Sequence, residues 1–201
     1  MRHEEKIKND FKDHKAYYSS YIKLEKDGNR IVDDIEVLYW KKPDSAIYGV
    51  IYMMKYNSLF ITGDLGEAVY CWSSPEKLKW VANLDLQYFA SKCKASENGR
   101  GNKEWDPDYT ENKLKEYMKD NFDENDYKEI WMKFEEERGP SALFYQQEWH
   151  SWLQDHGYEV FGDEWYEWAP DIGNVISLRC EYHLLGLKMA VDQLKNIPPE
   201  D

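Results

Sequence analysis

The chain has 201 residues, 42% of them apolar and 32% charged, and its 39 acids against 26 bases give a formal net charge of −13. That length supports a proper core without disulfide or metal staples. No run approaches the roughly 18 apolar residues of a membrane span, so no membrane-spanning helix is expected within the chain.

The segment MRHEEKIKNDFKDHK is charged throughout and lacks an apolar h-region, so no secretory signal is expected. Cys71, Cys93 and Cys180 are odd in number and far apart, with no C-x-x-C. They predict reduced thiols and a cytoplasmic protein, not a disulfide framework or a zinc knuckle. Residues 3–18 predict a helix with Ile7, Phe11, His14 and Tyr18 along one side. A turn is expected over residues 26–29, and residues 31–40, IVDDIEVLYW, read as a strand or an irregular lead-in stopped by Pro43.

Residues 46–73, AIYGVIYMMKYNSLFITGDLGEAVYCWS, are the most hydrophobic stretch and are rich in residues that fit a pleated surface. They predict three strands at 47–54, 59–62 and 67–72. The connections are residues 55–58 and 63–66, the second with glycines able to take positive φ. Ile47, Tyr48, Val50, Ile51, Tyr52 and Met53 are nearly continuous, which predicts that both faces of the first strand are covered. A Trp80-containing segment then leads to a helix over 85–96, with Leu86, Phe89, Ala90 and Cys93 on one face and a stop at Asn98-Gly99.

The loop NGRGNKEWDPD, residues 98–108, marks a boundary between a mixed part, 1–103, and an acidic, Trp-rich helical part, 104–201. The two are expected to pack as one domain. Thr110 is placed to cap a helix with Leu114, Tyr117 and Met118 inward. Asp123 is placed to cap the next, where Tyr127, Ile130, Trp131 and Phe134 give the cleanest amphipathic signal of the chain. Gly139-Pro140-Ser141 breaks it. Another helix follows with Ala142, Tyr145, Trp149 and Trp152 inward and Gly157 at its end, and then an irregular or hairpin stretch over 158–171. A last helix over 176–195 shows Ile176, Cys180, His183, Leu184, Leu187, Val191 and Leu194 on one face, widened by Tyr182, Leu185 and Met189, so burial on more than one side is expected; Pro198-Pro199 ends it. The fold class is α+β: an antiparallel meander of three or four strands packed with about six helices.

Charge is segregated along the chain. Residues 104–171 hold 20 acids and 6 bases, while the remainder holds 19 acids and 20 bases. Trp131, Trp149, Trp152, Trp165 and Trp168 lie in the acidic part, so it is expected to be folded and not a solvating tail.

Four segments together, IVDDIEVLYW (31–40), GDLGEAVYCWS (63–73), LQYFASKCKASENGRG (86–101) and HLLGLKMAVDQL (183–194), resemble a group of uncharacterised accessory proteins of bacteriophages and prophages. The resemblance covers most of the chain, rests on no catalytic signature and carries over no functional residue. It implies a phage-borne counter-defence factor of the anti-CRISPR kind acting in the host cytoplasm.

Chemistry read from the residues is sparse. Asp64 and Glu67 in GDLGE would bring two carboxylates to one loop, as a hard cation needs, but turn chemistry is the better account, because no third ligand stands at a recognisable spacing. Gly63-x-x-Gly66 and Gly99-Arg100-Gly101 match no phosphate-binding loop. His150 and His156 fall on opposite sides of a helix. Cys180 and His183 share a face, but an apolar one, where a packed thiol and a core histidine are expected and a nucleophile pair would want a third group. No catalytic residue, cofactor or metal is assigned.

The acidic part reads either as a solvated surface or as a platform for a basic partner. In the second reading Asp120, Asp123, Glu124, Asp126, Glu129, Glu135, Glu136, Glu137 and Glu164 imitate the spaced charges of a nucleic-acid backbone, with Trp165 and Trp168 as anchors. The expected partner is a basic nucleic-acid-binding host protein such as a CRISPR effector. Direct nucleic-acid binding is opposed by charge unless Lys92, Lys94, Arg100 and Lys103 form a separate patch. The alternatives are an acidic adaptor or oligomerising protein without mimicry, and a metal-dependent hydrolase around Asp64 and Glu67.

Overall fold

The computed structural model describes residues 2–23, 33–45, 47–97, 102–137 and 139–195. The expected turn at 26–29, the stops at Asn98-Gly99 and Pro198-Pro199, and the Gly99-Arg100-Gly101 segment lie outside the described residues. The protein is α+β and divides into two compact units. The first is Met1–Asn102 together with Ile176–Asp201, and the second is Lys103–Val175. The last helix therefore belongs with the sheet and not with the acidic part.

The first unit is built on a six-stranded antiparallel meander in which each strand pairs with its sequence neighbours. A short helix α1 (Glu4–Asp10) leads into β1 (Lys15–Lys23), β2 (Asp33–Lys41), β3 (Val50–Lys55), β4 (Ser58–Gly63) and β5 (Ala68–Cys71). After α2 (Leu78–Val81) and α3 (Leu86–Ser91), β6 (Cys93–Ser96) completes the sheet. The strands expected near 31–40, 47–54, 59–62 and 67–72 are present, and β1 and β6 are additions. Both additions fall where a helix was expected, over 3–18 and 85–96. The true helices there are only 7 and 6 residues long, and the flanking KAYYSSYIK and CKAS join the sheet. Long-range pairing outweighs local periodicity at such short lengths.

Period-two alternation sends Leu38, Trp40, Val50, Tyr52, Met54, Leu59, Ile61, Ala68 and Tyr70 to one face, where all are buried. Helix α9 (Leu178–Lys195) lies on that face and is buried without interruption from Cys180 to Leu187, as its all-round apolar character requires. Gly186 brings it close: a Cβ there would stand 2.7 Å from the Tyr52 hydroxyl and 3.0 Å from the Phe11 ring. The expectation that both faces of β3 are covered is corrected. Ile51 and Met53 point to the opposite, uncovered face, in register with Tyr39 and Thr62 and with Val37 and Phe60. The run is continuous because the open face is itself apolar.

The second unit is helical. Strand β7 (Lys103–Trp105) is followed by α4 (Pro107–Asn121), α5 (Glu124–Glu136), α6 (Gly139–Ala142), α7 (Gln146–Phe161) and α8 (Trp165–Trp168), and β8 (Asn174–Ile176) pairs with β7. Asp106, not Thr110, caps α4 by accepting the Tyr109 N–H, and Thr110 is buried one turn inside. Asp123 caps α5 as expected, accepting from Asn125 and Asp126. Helix α7 runs through Gly157, whose bare face seats the Trp165 ring, and stops at Gly162, where φ is +82°. The core of this unit is largely aromatic: Phe134 meets Trp149, Trp152 and Phe161 at centroid distances of 6.2, 5.1 and 6.1 Å. Among the described residues no helix is long and apolar enough to cross a membrane.

Candidate functional site

The second unit carries all of the excess charge. Lys103–Val175 contains 20 acids and 7 bases, and the rest of the chain 19 of each. Four of its six tryptophans satisfy their indole N–H groups within the unit. Trp105 donates to the Leu143 carbonyl, Trp149 to Ala169 and Trp152 to Glu137, all within 2.8 Å, and Trp131 donates to the Glu135 carboxylate. With Phe134, Trp149, Trp152 and Phe161 buried, most of the carboxylates lie on the outside.

The expected site residues divide by role. Asp120, Asp126, Glu129, Glu136 and Glu164 are exposed. On α5, residues 129 and 136 stand opposite the buried Phe134 stripe, with Asp126 beside them, so these three share one outer face. Asp123 is also exposed but is committed to its cap, which holds its carboxyl below the ordinary value through the Asp126 and Asn125 amides. Glu124 pairs with Lys128, Glu135 accepts from Trp131, and Glu137 stands 3.4 Å from the His156 imidazole. Trp165 and Trp168 are half-buried against the core, and Trp168 stacks on Tyr117 at 3.8 Å, so their faces are occupied within the unit. The exposed large apolar groups are Met132 (60%), on the outer side of α5, with Tyr109, Phe144, Tyr145, Tyr158 and Tyr166 elsewhere on the unit. Met132 was legible in the sequence as an apolar residue out of phase with the Phe134 stripe.

The possible catalytic groups are otherwise engaged. In the first unit the Tyr70 hydroxyl lies 3.3 Å from His183 Nδ1, 3.9 Å from Cys180 Sγ and 3.2 Å from Asn102 Oδ1. All four side chains are buried. Burial pushes the Cys180 thiol up to about 12 and the His183 imidazole down to about 4, so both are held neutral. A thiolate–imidazolium nucleophile needs the opposite shifts and access to substrate. These residues form a structural polar cluster. Asp64 accepts the backbone N–H of Tyr48, itself at φ +57°, and Glu67 accepts from Thr62. That is turn chemistry, and no group of three or more His, Cys, Asp or Glu side chains that could hold a metal occurs among the described residues. His150 contacts the Pro170 carbonyl and His156 stacks on Trp152, so they share no site. Of the basic residues considered as a separate patch, Lys92 sits over the Tyr88 ring, and Arg100 is outside the described residues.

Comparison with protein-family models, curated proteins and solved structures finds no match for this chain.

Proposed function

We propose that the chain is a non-catalytic binding protein whose acidic helical unit occupies a basic, nucleic-acid-binding surface of a partner protein. The observation that carries this reading is the segregation of charge by unit: 20 acids against 7 bases in one compact body and 19 against 19 in the rest. Carboxylates fixed on helices present negative charge at defined spacings, which speeds encounter with a Lys/Arg-lined groove and competes with phosphates for it. Met132, three and four residues from Glu129 and Glu136 on α5, offers an apolar contact that attraction alone does not supply. With the resemblance to phage accessory proteins, the biological form of the proposal is a phage-encoded inhibitor of a host nucleic-acid-handling defence complex, of the anti-CRISPR kind.

The test is capture from bacterial lysate on the immobilised chain at roughly 50 and 500 mM salt, with mass-spectrometric identification. The expected result is a nucleic-acid-binding protein held at low salt and released at high salt. Retention that ignores salt, or a retained protein without a nucleic-acid site, contradicts the proposal.

A further inference from the structure

We propose that the uncovered face of the six-stranded sheet is the contact surface of a homodimer, two copies laying these faces together as the layers of a β-sandwich. The face is apolar at its centre. Register places Val37, Met53, Phe60 and Val69 in one line across four strands, with the Tyr17–Tyr39 pair in the next row. Tyr17, Tyr39, Met53 and Phe60 are 46, 41, 39 and 38% exposed. Lys15 and Lys41 pair at one margin and Lys55 lies toward the other. A centre of Tyr, Phe and Met53 with charge at the rim is the composition of an interface.

Size and shape point to a second sheet as the occupant. Six strands at about 4.8 Å spacing and four residue rows give a footprint of roughly 24 by 20 Å, about 500 Å² per copy before side-chain relief is counted. Two such faces together reach the roughly 1,000 Å² at which a specific interface begins. From β1 to β5 the meander runs without a register shift, the irregularity falling between Val69 and Tyr70 at the β6 edge. A regular pleated surface is complementary to another packed about 10 Å away.

Two further features favour face-to-face association of this chain. The unit bearing the sheet has 19 acids and 19 bases, so its own net charge does not oppose the contact. Edge-to-edge pairing at β1 is obstructed where the Gln193 side chain takes the Ala16 N–H and donates to the His14 carbonyl. The dimer would present two acidic units and so raise avidity for a repeated basic surface, but it does not depend on what those units bind.

The test is sedimentation velocity of the full chain from about 1 to 100 µM at 150 and 500 mM salt. Dimer mass should appear at both salts, because the contact is apolar. Met53→Glu and Phe60→Glu, at partly exposed positions, should each weaken dimerisation at least tenfold with unchanged circular dichroism, whereas Glu129→Gln should leave it intact. In the wild-type chain, dilution should shift the methyl resonance of Met53 and not that of Met132, a readout that survives if a variant misfolds. A monomer at 100 µM overturns the proposal, including one that binds oligothymidylate through its tyrosines. A dimer indifferent to both Glu variants overturns it too.

Discussion

His183 shows how a single residue couples burial to solution behaviour. Its imidazole is fully enclosed and held near a pKa of about 4, against an ordinary value of 6.5. The unfolded chain takes up a proton below about pH 6.5, and the folded chain resists until about pH 4. Its contribution to stability is therefore complete above pH 6.5 and is lost as pH falls through that window, about 3 kcal/mol at the lower end. Burial shifts His14 in the same direction. Urea unfolding should show a lower midpoint at pH 4.5 than at pH 7, and His183→Gln should flatten that difference. Equal slopes in variant and wild type would contradict the account. Tyr70→Phe should cost about 1–3 kcal/mol, because it leaves buried polar partners of the hydroxyl unsatisfied; a neutral effect in the same denaturation assay would remove the cluster's structural role. The types and spacing of Cys180 and His183 were visible in the sequence. Their link to Tyr70 and Asn102 was not, because it is made across 110, 113 and 32 residues of chain.

At the scale of elements, legibility followed length and capping. The 18-residue α9 and the 13-residue α5 stood out because sustained apolar character and the Asp123 cap agree with their packing. Helix α4 was also found, but with the wrong cap. Both Asp106 and Thr110 are good capping residues, and Pro107, suited to the first helical position, favours Asp106. Asp106→Ala should lower stability by about 1 kcal/mol and reduce helical circular dichroism, whereas Asp123→Ala should leave α4 intact. The outer strands β1 and β6 were missed because their sequences do not identify their partners, and a strand without a neighbour carries little signal. The aromatic core of the second unit makes a stronger claim: Phe134→Ala removes the ring that Trp131, Trp149, Trp152 and Phe161 pack around and should cost about 3–5 kcal/mol by denaturant unfolding. A loss below about 1 kcal/mol would show that Phe134 does not organise this core.

For the molecule as a whole, the sequence exposed the charge asymmetry and placed it almost at the boundary between the units, because charge counting needs no knowledge of packing. It did not show that Trp165 and Trp168 are half-buried, because a tryptophan among acids looks the same in sequence whether its ring faces solvent or stacks on Tyr117. In the proposed reading Met132, 60% exposed, takes the anchoring role, with the exposed Asp126, Glu129 and Glu136 on the same helix supplying the charge. The most direct measurement of the central claim is displacement of a fluorescent nucleic acid from the captured partner by the wild-type chain and by Asp126→Asn/Glu129→Gln/Glu136→Gln. The account predicts that the wild type displaces the nucleic acid and that the triple variant, with its helical circular dichroism unchanged, is at least tenfold weaker. A ternary complex in which partner, nucleic acid and protein coexist, or equal displacement by the variant, would contradict it.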